Sequence, residues 1–238
     1  MKFNIKELKI LYEDNHIIVV IKPVGIPVQQ DKTGDIDLLS IIKEYLKEKH
    51  NKPGNVYLGL VHRLDRMVGG VMVFAKTSKA ASRISNYIRE KNFKKRYFAI
   101  VNGNLEISGK KVVLQNYLVK NERLNMSRVC SKDTKNAKEA ILEYSVISNF
   151  KYKGKEYSKI DINLMTGRHH QIRVQFANIG APLYGDIKYG NKINKVGENL
   201  ALWSYYLSFF HPTKDEYLEF TFNPIEYEKH DKIWSVNN

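Results

Sequence analysis

The apolar residues of this chain come in short runs, and run length is what most limits how it can fold. The longest, such as Ile17 to Ile21 and Val71 to Ala75, are strand-sized. None approaches the roughly 20 consecutive apolar residues that a membrane-spanning helix needs. Turn-forming residues bracket them: Pro23, Gly25 and Pro27 follow the first, and Asn102-Gly103 closes a later run from Tyr97 to Val101.

Along the chain, Lys9 to Tyr12 and His16 to Lys22 read as paired strands about a turn at Glu13 to Asn15. Leu38, Leu39, Ile42, Tyr45 and Leu46 have helical spacing, with Asp37 as N-cap, and Asn51-Lys52-Pro53-Gly54 breaks that helix. Tyr57 to Val61 and Gly70 to Ala75 are expected strands. A helix capped by Thr77 or Ser78 follows, with Ala81, Ile84, Tyr87 and Ile88 on one face. Ser108 to Lys138 is polar and weakly patterned, which predicts short strands joined by exposed loops. Ala140 to Ser148 and Tyr157 to Met165 alternate as a hairpin turning near Lys153-Gly154. After Thr166-Gly167-Arg168 a helix is expected from about His169, with Ile172, Phe176 and Ile179 on one face. Leu200 to Phe222 reads as two strands separated by His211-Pro212-Thr213. Helices interrupting a strand-rich chain predict an α+β fold, a mostly antiparallel central sheet with flanking helices, in one domain spanning residues 1–238.

Composition narrows the partners. Thirty-nine Lys and Arg against 25 Asp and Glu give a net charge of +14 in 238 residues. That excess favours a polyanion, because neutralising phosphates releases condensed counterions; a Lys- and Asn-rich compositional bias is the alternative source. No Lys-rich amphipathic helix suggests a membrane surface. Met1 to Lys9 lacks the apolar stretch of a secretory signal, and the lone Cys130 suits a reducing, cytoplasmic setting. There is no phosphate-cradling Gly-rich loop, no dinucleotide fingerprint and no His pair at metal-binding spacing, so neither metal nor cofactor is expected.

Three segments could carry chemistry. In Val61-His62-Arg63-Leu64-Asp65-Arg66 an acid lies between two arginines, which favours its ionised form. Such an acid is either one half of a structural ion pair or a nucleophile or base. Lys94-Lys95-Arg96-Tyr97 places cations directly before an aromatic ring, suited to gripping phosphate and stacking a base, or simply to a solvated strand start. Thr166-Gly167-Arg168-His169-His170-Gln171-Ile172-Arg173 delivers Arg168 to a helix mouth, where N–H groups favour anions; capping and surface charge are the plain alternative. On a helix starting near His169, Arg168 and Arg173 lie about 140° apart and face different ways.

Taken in order, these segments resemble the RluA-like family of RNA pseudouridine synthases, whose boxes read H-R-L-D, basic-x-Tyr and T-G-R-x-H-Q-I-R. The resemblance extends to Lys22-Pro23-Val24-Gly25, Gly185-Asp186 with Tyr189, Phe210-His211-Pro212 and Phe222-Asn223-Pro224, covering about residues 11–224. It implies Asp65 as the catalytic nucleophile or base, Tyr97 against the flipped base, and Arg173 paired with Asp65. Arg63 would enter the vacated RNA stack with His62 beside it. Arg66, Lys95, Arg96, Arg168 and His170 would contact RNA. A stacked uridine cannot be detached at N1 and rejoined at C5, so it must be extruded. The implied protein is a cytoplasmic, cofactor-free monomer with a basic cleft, acting on ribosomal RNA ahead of transfer RNA. A non-catalytic RNA-binding or ribosome-assembly factor is the rival; a hydrolase would want a second acid or a metal cluster.

Two departures stand out. The family's x-x-T-S-G after H-R-L-D is Arg66-Met67-Val68-Gly69-Gly70 here, losing two hydroxyls while Gly69 would permit a tighter turn. Many relatives also carry an N-terminal S4 RNA-binding domain, whereas this chain opens almost directly in the catalytic region. Target choice would then rest on that region's own loops.

Overall fold

The structure is a computed structural model that describes residues 5–51, 53–190 and 192–236. Met1 to Asn4 of the N-terminal reading and Lys52 of the expected helix break lie outside these residues. The chain forms two compact units, one of residues 1–94 with 204–223, the other of residues 95–203 with 224–238.

In the first unit, β1 (Ile10–Glu13) pairs antiparallel with β2 (Ile17–Lys22), and β2 pairs with β4 (Gly69–Ala75). The expected strand at Tyr57 to Val61 shrinks to β3 (Gly59–Leu60), a two-residue partner of β4. β10 (Leu202–Phe210) neighbours β4, and β11 (Tyr217–Thr221) returns along it after the His211-Pro212 turn. Every residue of β2 and β4 is buried. That accounts for their continuous apolar runs, since a strand covered on both faces has no reason to alternate. Each buried Ile or Val contributes about 1.5–3 kcal/mol.

The two helices of this unit start where their caps put them. α1 (Leu38–Lys49) buries Leu38, Ile41, Ile42 and Leu46, and the Asp37 carboxylate accepts the Ser40 N–H at 3.1 Å. In α2 (Ser78–Arg89) Thr77 is the cap, its Oγ1 accepting from the Ala80 N–H at 3.2 Å. Only Ala80 and Ile84 of α2 are fully buried, so the expected face narrows to a stripe with Tyr87 and Ile88 at its half-buried margin.

The second unit is a ladder in the order β5-β9-β8-β6-β7, antiparallel throughout, formed by β5 (Lys94–Asn102), β6 (Val112–Asn121), β7 (Met126–Cys130), β8 (Lys138–Tyr152) and β9 (Lys155–Leu164). Lys153 and Gly154 turn β8 into β9 with φ of 49° and 77°, the positive values that a two-residue hairpin turn requires. α3 (Gln171–Asn178) packs on β6 and β7, where Leu118, Ala140 and Val174 form a small core flanked by Val129 and Tyr189. α4 (Ile187–Gly190) follows at once.

The architecture is α+β, and all the ladders given above are antiparallel. Among the described residues no helix is long and apolar enough to cross a membrane.

Candidate active site

Asp65 stands in a turn between β3 and β4, where its carbonyl accepts the Val68 N–H at 3.0 Å. The turn is fastened from behind by Lys22, the last residue of β2. Lys22 is fully buried, and its Nζ donates to the carbonyls of Pro23 (2.8 Å), Arg66 (2.9 Å) and Val68 (2.8 Å). Burial pulls the Lys22 amine down to about 7, against the Asp65 carboxylate, which favours its charged form; Arg66 adds to the lowering. Gly25 N–H also donates to the Arg66 carbonyl, and Arg66 Nε donates to Gly25 O, each at 2.9 Å. The Lys-Pro-x-Gly segment is thus the clamp that holds the His-Arg-Leu-Asp turn.

The neighbours of Asp65 go separate ways. Arg63 is exposed and makes no hydrogen bond or ion pair among the described residues. Arg66 turns to the 25–35 loop, donating to Asp35 and to Thr33 Oγ1 at 3.2 Å. His62 accepts the Val73 N–H on Nε2 at 3.2 Å and sets its ring edge against Phe93, with centroids 5.3 Å apart. The positive φ of the departing turn falls at Gly70 (123°) rather than Gly69, and a Cβ there would lie 2.2 Å from the Ser204 carbonyl oxygen. The close approach of β10, not the tightness of the turn, requires glycine there.

In the second unit, Tyr97 is buried on β5 opposite Ile162. Lys95 Nζ is 3.5 Å from where a Cβ would stand on Gly167, and burial lowers its pKa. Arg96 is drawn to Asp161 on β9. The Thr-Gly-Arg turn is pinned by Gln171, whose Oε1 accepts from Thr166 Oγ1 (2.8 Å) and the Arg168 N–H (3.0 Å) while Nε2 donates to Ile141 O (3.1 Å). Arg168 Nε donates to Glu139 O at 2.7 Å.

α3 starts two residues later than expected because His170 adopts φ 54°, ψ 25°. Arg168 therefore precedes the helix, and Arg173, 8% exposed, points into the unit. Its Nε and Nη2 donate to the two carboxylate oxygens of Asp186, both at 2.8 Å. Its guanidinium carbon stands 5.1 Å from the Tyr189 ring centroid. His170 Nδ1 is 2.8 Å from Tyr189 Oη, and His169 Nδ1 is 2.9 Å from Ser127 Oγ. Burial first, and then the charges of Arg173, His169 and Lys188, push His170 down to about 2, so it is neutral.

Sequence reading assigned no role to Lys22, Asp186 or Tyr189, although each lies in a segment that carries the resemblance. Their spacing in the chain gave no sign of which partners they would meet. No group of three or more His, Cys, Asp or Glu that could hold a metal ion occurs among the described residues.

Comparison with known proteins shows the kinship of the chain. The model of the RNA pseudouridylate synthase family matches residues 16–178, which include Asp65, Tyr97 and Arg173. A protein described as an uncharacterized RNA pseudouridine synthase of Aquifex aeolicus is 33% identical over 95% of this chain and 72% of its own length. The ribosomal large subunit pseudouridine synthase C of Buchnera aphidicola is 34% identical over 92% of this chain and 67% of its own. Among solved structures, human RNA pseudouridylate synthase domain containing 1 superposes with a TM-score of 0.74 at 24% identity, covering 93% of this chain and 85% of that one. The structural likeness shows the shared fold, and the sequence matches show kinship. The chain belongs to the RNA pseudouridylate synthase family, in its RluA-like branch of RNA-modifying isomerases.

Proposed function

We propose that this protein isomerises specific uridines in structured RNA, ribosomal RNA ahead of transfer RNA, with Asp65 as nucleophile or base and the target uridine flipped out of its stack. The observation that carries the reading is the match of the family to residues 16–178, a span in which Asp65, Tyr97 and Arg173 stand in the order of the resembling boxes. The reaction breaks the N1–C1′ bond, forms a C5–C1′ bond, moves a proton from C5 and leaves N1 protonated. Atoms and electrons balance within the nucleotide, so the chain's own side chains suffice.

Several features support this division of roles. Asp65 is on a turn clamped through Lys22, which keeps a carboxylate in one place. Tyr97 is buried on a regular strand, and Arg173 is fixed by a two-point ion pair. Arg63 is exposed next to Asp65 and fits the role of filling the stack the uridine leaves. Such an extrusion costs a few kcal/mol, which an inserted side chain and backbone contacts offset. Lys95, Arg168 and the net charge of +14 suit contact with phosphates. The names of the ribosomal relatives favour ribosomal RNA, and the site of action is then the cytoplasm.

An Asp65→Asn variant separates catalysis from binding. It should bind RNA within about threefold of the parent while turnover falls by at least about 1000-fold, the scale on which loss of an essential reacting group registers. Tritium release from RNA labelled at uridine C5 measures turnover and filter binding measures affinity. Full turnover in the variant would remove Asp65 from the mechanism. An inactive parent that still bound RNA tightly would instead favour the binding-factor reading.

A further inference from the structure

Arg173 lies inside the family match, but the residues that hold it do not. Asp186 and Tyr189 both fall beyond residue 178. We propose that these two are positioning residues for Arg173, the Asp186 carboxylate fixing the plane of its guanidinium and the Tyr189 ring bracing its face. This rests on the reading that Arg173 serves in uridine isomerisation.

The geometry of the pair is directional. Two parallel bonds of 2.8 Å from Nε and Nη2 to the two oxygens of one carboxylate leave the guanidinium a single plane. Asp186 cannot swing to follow a moving partner. It is 1% exposed, and its Oδ1 also accepts the N–H groups of Lys188 (3.1 Å) and Tyr189 (3.2 Å). The turn that delivers it is equally fixed. Gly185 has φ 71°, and a Cβ there would lie 2.2 Å from the Asn199 carbonyl oxygen. A buried ion pair adds little net stability, because desolvation offsets the attraction. What the carboxylate supplies that an apolar residue would not is direction.

Tyr189 adds the third constraint. The guanidinium carbon is 5.1 Å from its ring centroid, within cation–π range. Its hydroxyl accepts the Ser127 N–H of β7 at 2.8 Å and shares a hydrogen bond with Nδ1 of the neutral His170, also at 2.8 Å. With its far end tied to a strand and to the residue before α3, the ring cannot rotate away from the cation. Asp186, Tyr189, His170 and Ser127 thus form a cradle built from β7, the residue before α3, the 185–186 turn and α4.

The test splits orientation from folding. Asp186→Asn, Tyr189→Leu, Tyr189→Phe and Arg173→Ala would be assayed by tritium release, with RNA labelled at uridine C5 from cells lacking the gene as substrate. Circular dichroism and melting would check the fold. A displacement of about 1 Å at a reacting group costs on the order of 100-fold. Asp186→Asn and Tyr189→Leu are therefore expected to lower kcat by about 10- to 100-fold with KM within about threefold. Tyr189→Phe keeps the ring but loses its ties, so its kcat should fall less than that of Tyr189→Leu, and it should melt earlier than the parent. Adding Asp186→Asn to Arg173→Ala should cause no further loss. Tyr189→Leu leaves the ion pair intact and keeps the test decisive should Asp186→Asn fail to fold.

Folded Asp186→Asn and Tyr189→Leu proteins with kcat within about twofold of the parent, beside an inactive Arg173→Ala, would overturn the positioning role alone. An Arg173→Ala protein at full turnover would overturn the reading of the site beneath it.

Discussion

At the end of β1, Glu13 accepts hydrogen bonds from Lys76 (2.7 Å), Lys49 (2.8 Å) and Tyr45 (3.0 Å), with His50 Nε2 at 2.9 Å. Burial would raise its pKa, but these partners outweigh burial and hold it at about 2, against 4.5 for an ordinary glutamate. A carboxyl depressed in the folded state contributes its full stability above the unfolded value and loses it as pH falls through the folded one. The contribution should therefore vanish between about 4.5 and about 2. Thermal melts across that range should fall more steeply for the parent than for Glu13→Gln; parallel curves would remove Glu13 from the acid response. None of these partners is visible in the sequence, because they come from α1, its end and the residue after β4. The same holds for Lys22, the last residue of an apolar strand, whose full burial and three carbonyl partners leave no mark in the sequence. Asp65, Tyr97 and Arg173 could be picked out because ordered boxes carry them. Asp186 could be seen in its box, but its partner could not.

Elements were legible where burial imposes a continuous apolar run or a period. β2, β4, α1, α2 and the β8–β9 hairpin stand within a few residues of expectation, since one or both faces of each are covered and Asp37, Thr77 and Gly154 mark the ends of α1, α2 and the hairpin. β6 was not legible as a long strand. It pairs with β8 from Val112 to Leu118 and with β7 from Tyr117 to Asn121, yet Leu118 is its only fully buried side chain, so backbone pairing rather than apolar patterning holds it. The late start of α3 has a similar cause. The left-handed His170 and the side-chain bonds of Gln171 set it, and Ile179, expected on the buried face, is the 42% exposed C-cap. The demand for glycine at the entry of β4 is likewise tertiary. Gly70→Ala should destabilise the protein by more than about 2 kcal/mol, the range of strained-backbone and overpacking defects. Gly69→Ala should cost less. Denaturant melts of the two would check this, and equal midpoints would mean that β10 yields to the added methyl.

At the scale of the whole molecule, the charge of +14 bears on affinity rather than on fold. Logarithmic RNA affinity should fall linearly with the logarithm of salt concentration, by at least about 100-fold between about 50 and about 200 mM if several phosphates are contacted. Filter binding over a salt series measures the slope, and a flat line would contradict a phosphate-led interface. The α+β class and the antiparallel sheets followed from strand-sized runs interrupted by helical ones, and the family from the order of the boxes. The division into two compact units was not legible, because no linker marks it: the first unit closes with residues 204–223, which return from the far end of the chain.

Formation of pseudouridine in RNA through Asp65 is the proposed function. The most direct measurement is pseudouridine mapping by carbodiimide-blocked primer extension on total RNA from cells lacking the gene, complemented with the parent or with Asp65→Asn. The expected result is a ribosomal RNA stop that is lost on deletion, restored by the parent and not restored by the variant. A stop restored equally by both proteins would contradict it, as would RNA in which deletion changes no pseudouridine.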